Sequence, residues 1–301
     1  MTARNCEFKL DGITLRGRRW GVEGGMPVLA LHGWLDNCAS FDFLAPLITS
    51  SNTQTLDMVT LELAGHGLSD HRSGLSAYNI WQDLIEILLV TEQLGWSRFA
   101  LIGHSRGAMI STLFAATYPE KVTHLVGIEG LLPGTTEENQ APAQLRTALD
   151  SIMSLHTRPF NYHPSFDAAV KARERGFMPL IHPDALALAQ RAVRQGDKGF
   201  YWGSDPKLLA PSEIRLTPGQ VAAFVDELHK SYINSASEDE KPIAIFIVGN
   251  KGIKELYSDL LGNIKEYPGI KIQHLEGDHH LHMSVGATAV GQVITEYFNH
   301  D

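Results

Sequence analysis

The sequence predicts an α/β protein whose mostly parallel sheet is covered by helices on both faces. Three observations carry that expectation. Strand-like and helix-like runs alternate up to about Ile128. The alternation stops near Leu131 and resumes near Thr217. Before that break, at residues 103–107, a Gly-x-Ser-x-Gly stretch joins an apolar strand-like run directly to a helix-like one.

The elements follow in order. Glu7–Leu10 and Ile13–Trp20 flank Asp11-Gly12, a hairpin turn dipeptide. Pro27–Leu31 and Thr55–Leu61 are short apolar runs of the kind a buried parallel strand shows. Tyr78–Leu94 has helical spacing, with Ile80, Leu84, Ile87, Leu88 and Thr91 on one face. Arg98–Ile102 reads as a strand, Ala108–Ala116 as a helix and Val122–Ile128 as the next strand. From about Pro133 to Pro211 no strand-like run occurs, and patches such as Asp184–Gln195 look helical. A helical insertion over 133–216 is expected, splitting a core made of 1–132 and 217–301. Thr217-Pro218 opens a helix running to about Ile233, with proline in the first turn. A polar loop over 235–241, strands at Ile243–Val248 and Ile270–Leu275, and a helix at Ser284–Phe298 complete the chain.

The totals exclude several classes. The 301 residues carry a net charge of -9, and no basic stripe is available to neutralise phosphates, so no nucleic-acid partner is expected. Nothing approaches the ~18 uninterrupted apolar residues of a membrane span. Met1–Lys9 lacks the apolar region of a secretory signal. Cys6 and Cys38 form neither a disulfide framework nor a C-x-x-C site, which suits a reducing cytoplasm. Monomer and homodimer both remain open.

The chemistry centres on Gly103-His104-Ser105-Arg106-Gly107. Small residues two before and two after the serine let strand and helix pass closely at a tight turn. A serine hydroxyl needs a base to take its proton, and the base needs an acid to orient it. Asp278-His279-His280-Leu281-His282 follows the last strand. Its spacing does not match H-E-x-x-H and it lacks carboxylates at ligand spacing, so no metal is assigned. The loop reads as one catalytic histidine with two neighbours, or as three structural ones.

Four blocks are similar to an α/β-hydrolase-fold serine hydrolase: Leu31-His32-Gly33-Trp34, Leu63 to Asp70 with its Gly65-His66-Gly67 turn, the Gly103–Gly107 elbow, and the Asp278–His282 loop. The resemblance runs almost end to end and implies an eight-stranded sheet with a helical cap after the sixth strand. It implies Ser105 as nucleophile and His279 as base, with His280 as runner-up. It implies backbone N–H groups of Trp34 and Arg106 as the oxyanion hole. It makes His32 and His66 structural and turns His104 away from the pocket. Gly199 to Pro206 resembles a W-x-x-D-P patch of the serine hydrolase-like subgroup.

The acid departs from the common pattern. Gly252 stands where the family's aspartate is usual. Haloalkane dehalogenases place the acid after the strand that follows the elbow helix. Here that position is Glu129, 24 residues beyond Ser105. Glu129 is therefore the expected acid, a rim carboxylate is its bland alternative, and Glu255 is the fallback. A serine nucleophile implies acyl chemistry. The resemblance thus implies a cofactor-free carboxylesterase for small or medium acyl esters. Carbon–carbon hydrolase, lactonase, thioesterase and a non-catalytic ligand-binding protein are the alternatives. Trp34 and Trp202 are the candidate substrate contacts. Phe160, Tyr162, Phe166, Phe177, Phe200 and Tyr201 are further insertion aromatics.

Overall fold

The computed structural model describes residues 3–51, 54–176, 178–235, 244–252, 267 and 269–299. The polar loop beyond Ser235, Phe177 and Glu255 lie outside the described residues.

The chain opens with β1 (Arg4–Leu10) and β2 (Ile13–Gly21), an antiparallel hairpin closing at Leu10 opposite Ile13. Gly12 turns it at φ 75°, a conformation glycine adopts freely. β3 (Met26–Leu31), helix α1 (Leu44–Ser51) and β4 (Leu56–Glu62) follow, and β4 is buried along its length. α2 (Ile80–Gln93) buries Ile80, Ile87 and Val90 on one stripe. β5 (Phe99–His104), also buried throughout, passes into α3 (Arg106–Thr117), and β6 (Val122–Ile128) comes next.

The segment after β6 holds α4 (Ala141–His156), β7 (Tyr162–His163), α5 (Phe166–Glu174), α6 (His182–Ala192), β8 (Val193–Gly196) and β9 (Gly199–Trp202). Ser165 caps α5 by accepting from the Ala168 N–H at 3.1 Å. α7 (Pro218–Ser235), β10 (Ala244–Gly249), β11 (Ile270–Leu275) and α8 (Ala287–Phe298) complete the described fold.

The main sheet has eight strands in the order β1-β2-β4-β3-β5-β6-β10-β11. β1–β2 and β2–β4 pair antiparallel and every other pair is parallel. Side chains alternate across it, as the two-residue strand period requires. Leu29, Leu31, Leu61, Leu101 and Phe246 meet Ile87, Phe114 and Val225 on one face. Val28, Ala30, Met58, Ile102 and Ile247 meet Ile48, Val290 and Ile294 on the other.

The insertion is not purely helical, which corrects the sequence expectation. β7, β9 and β8 form a separate antiparallel three-stranded sheet in that order. These strands are two to four residues long and none has a buried residue. They leave no apolar alternation to read. α6 accordingly ends at Ala192, not Gln195.

The insertion is tied to the core by buried contacts. Val170, Ala185, Leu188 and Ala189 pack with Ala39 and Met283. Arg191 Nε meets Glu62 Oε1 at 2.9 Å, with side chains only 6% and 0% exposed. Among the described residues no helix is long and apolar enough to cross a membrane.

Candidate active site

Ser105 sits between β5 and α3 with φ 51° and ψ −113°, outside ordinary helix or strand geometry. Its backbone N–H donates to the Ile128 carbonyl at 2.8 Å, locking the turn against the end of β6. The flanking glycines are steric requirements. A Cβ at Gly103 would overlap the Gly107 carbonyl, and one at Gly107 would overlap the Leu31 carbonyl. Gly130 passes against the Ser105 backbone, where a Cβ would lie 2.8 Å from the serine Cα.

Glu129 follows β6 directly, with φ 49°. Its buried carboxylate accepts from the Gly249 N–H through Oε1 at 2.5 Å. Oε2 lies 3.3 Å from His279 Nδ1. A carboxylate at Nδ1 holds the proton there and leaves Nε2 as the basic nitrogen. Gly252 faces this carboxylate, and a Cβ at 252 would overlap both oxygens. Ser105, Glu129 and His279 all line one cavity of about 620 Å³.

Trp34 lines the same cavity, and its indole Nε1–H donates to the Leu208 carbonyl at 2.8 Å. The Arg106 side chain points elsewhere, bonding Asp83 Oδ2 at 2.7 Å and the Tyr78 carbonyl at 3.1 Å. Its backbone N–H opens α3, where helical N–H groups have no intrahelical acceptor. His32 bridges two loops, its Nδ1 against the Gly33 carbonyl and its Nε2 accepting from the Leu63 N–H at 3.1 Å. Burial holds His32 below, and His66 well below, the usual histidine range.

His104 corrects an expectation: it does not face away from the pocket but forms part of its wall. Its Nε2 lies 2.8 Å from the His279 carbonyl, which can only accept, so Nε2 carries the proton. Its ring centroid is 4.0 Å from that of His282 and 4.8 Å from that of His279. Burial among these imidazoles holds His104 well below the usual range and pushes His282 down to about 3. Beside it, buried Asp36 was missed in the sequence because no motif marks it. Its Oδ1 takes Arg173 NH2 at 3.0 Å, and its Oδ2 lies 3.3 Å from His280 Nε2. Burial opposes Asp36 ionisation, but His280, Arg173 and His104 hold it well below the carboxylate range.

Trp202 lines the cavity, with its indole Nε1–H on the Ala169 carbonyl at 3.1 Å. Phe160 lines it too and packs on Tyr201 at 4.5 Å between ring centroids. Asp205 of the W-x-x-D-P patch is a fastener. It accepts from the Tyr78 hydroxyl at 2.6 Å and caps the Pro206–Leu209 turn through the Lys207 N–H at 2.9 Å.

A serine on a strand-to-helix turn, sharing a cavity with a carboxylate-bound histidine, is an arrangement of nucleophilic hydrolases. The family model for the alpha/beta hydrolase fold matches residues 26–156. A serine hydrolase-like protein of Danio rerio is 29% identical over 290 residues, covering 94% of this chain and 84% of that one. A solved hypothetical protein of Pseudomonas aeruginosa PAO1 is 35% identical with a TM-score of 0.88, covering 98% of this chain and 99% of that one. A thioesterase domain from the curacin biosynthetic pathway shares the fold, with a TM-score of 0.82 at 23% identity over 98% of this chain and 100% of that one. The chain has the α/β-hydrolase fold and is similar nearly end to end to a serine hydrolase-like protein.

Proposed function

We propose that the protein is a carboxylesterase for small to medium acyl esters, working through Ser105, His279 and Glu129. The observation that carries this reading is the 3.3 Å approach of Glu129 Oε2 to His279 Nδ1 on a cavity that Ser105 also lines. His279 Nε2 removes the Ser105 proton as Oγ attacks the acyl carbonyl. Glu129 orients the ring and offsets the imidazolium charge. The backbone N–H groups of Trp34 and Arg106 receive the oxyanion, each such donor being worth roughly 3–4 kcal/mol. His279 returns the proton to the leaving alcohol. A water, activated by the same base, then frees the acid. Segment 133–216 acts as the lid, with Trp34 and Trp202 against the acyl chain.

Reaction with a fluorophosphonate probe, followed by mass spectrometry, tests the nucleophile. Labelling at Ser105, abolished in Ser105→Ala, is expected. An unlabelled Ser105 defeats the reading and favours a non-catalytic binding role. A panel of p-nitrophenyl esters, thioesters and lactones then ranks the substrate class, and ester turnover is expected to lead.

A further inference from the structure

Asp36 and His280, each from a loop, and His104, the last residue of β5, meet in the cavity wall. All three are buried, and their ligand-type atoms lie within 4.8 Å of one another. We propose that they form an inhibitory site for a divalent transition-metal ion, with zinc as the reference ion.

The argument begins at His104. Its Nε2 carries the proton given to the His279 carbonyl, so Nδ1 presents a lone pair. That lone pair is fully buried, makes no hydrogen bond and lies 3.7 Å from Asp36 Oδ2. Two acceptors therefore face each other, an arrangement that a cation between them relieves. His280 Nε2 stands 3.3 Å from the same oxygen. A tetrahedral ion with bonds of about 2.0–2.1 Å spaces its ligands roughly 3.4 Å apart. The two measured separations fit that edge. Arg173 occupies Oδ1 and leaves Oδ2 to bind alone. Space above the pair exists because residue 33 is glycine: a Cβ there would lie 2.8 Å from His104 Nδ1 and 3.1 Å from Asp36 Oδ2. Two imidazoles and one carboxylate favour zinc-like ions over magnesium or calcium.

The inhibition follows from position and rests on the proposed function. The His104 and His279 rings are 4.8 Å apart. His104 Nε2 also holds the His279 carbonyl at 2.8 Å, and His280 is the next residue, so an ion drawing these two ligands together moves the His279 loop off its position.

Equilibrium dialysis of the full-length, chelator-washed protein against zinc reads the binding. One zinc per chain is expected, lost in His280→Gln and Asp36→Asn. It should be retained in His182→Gln, which removes the exposed Glu174–His182 pair. Ester hydrolysis by wild type should fall by about ten-fold or more at zinc saturation, the order of cost that a misplaced catalytic group carries, and return with chelator. Each variant is compared with its own zinc-free rate. Equal zinc uptake by wild type and His280→Gln, loss only in His182→Gln, or binding without slowing overturns the proposal. Should the ligand variants fail to melt cooperatively, anomalous scattering from zinc-soaked wild-type crystals decides. A peak between Asp36, His104 and His280 supports the site, and a peak only elsewhere overturns it. A metal-free protein that hydrolyses no ester counts against the proposed function alone, since dialysis reads the site independently.

Discussion

Gly252 lies directly against the carboxylate of Glu129, so closely that a Cβ at 252 would overlap both Glu129 oxygens. Position 252, where the resemblance expects the acid, thus has no side chain, and another segment's carboxylate fills the space. Glu129 reaches it from the end of β6 and takes the Gly249 N–H at the end of β10. Parallel pairing of β6 with β10 brings the two ends together.

Gly252→Ala tests that packing. The added methyl meets the far end of a flexible side chain, so folding should survive. The displaced carboxylate should let the His279 ring drift. We expect kcat for p-nitrophenyl esters to fall about ten-fold or more, with KM little changed, because small misplacements of catalytic groups carry costs of this order. An unchanged kcat, with the melting temperature held, would count against Glu129 as the orienting group.

Removal of the proposed acid itself should cost more. Glu129→Gln is expected to lower kcat by a factor on the order of 10²–10⁴, by analogy with triad acids elsewhere. Glu255→Gln should leave turnover near wild type. The double variant Glu129→Gly with Gly252→Asp moves the carboxylate to the family's usual position, and we expect partial recovery over Glu129→Gln. Near-wild-type turnover in Glu129→Gln would reassign the acid.

Arg191 and Glu62 supply a stability test of how the insertion is held. Arg191 Nε and NH2 reach the two Glu62 oxygens at 2.9 and 3.2 Å. Arg191→Met strands a buried carboxylate and should destabilise the fold by about 3–5 kcal/mol. Adding Glu62→Gln should return part of that loss. Urea denaturation of both variants provides the check.

His66 governs part of the acid sensitivity. Burial, with the nearby His32 and Arg106 charges, holds its folded-state pKa well below 6.5. Below pH 6.5 the unfolded chain therefore binds a proton that the fold refuses. Stability from this residue is full above that pH and is lost as pH falls toward the folded pKa. His66→Gln, measured against its own pH 7 stability, should lose less on acidification than wild type. Parallel pH profiles would remove His66 from the account.

Much of the architecture was legible from local pattern. Apolar runs marked the buried central strands, and Asp11-Gly12 marked the hairpin turn. The small strands of the insertion were not legible, because two to four half-buried residues carry no period. Asp36 escaped notice for a related reason. Its role depends on Arg173 and His280, which are remote in sequence.

The sequence by itself determined the eight-stranded α/β frame, the strict turn at Ser105 and the histidine loop after the last strand. These rest on local requirements: apolar periodicity, glycine where a Cβ would collide, and short-range chain order. Only the tertiary structure decided that Glu129 lies on His279 while Gly252 yields it room. It also decided that His104 belongs to the pocket wall, and that Asp36, His104 and His280 share one buried point. Those relationships depend on strand ends and loops brought together by parallel pairing; the 24-residue spacing from Ser105 nominated Glu129, but the contact itself is made only in the folded chain.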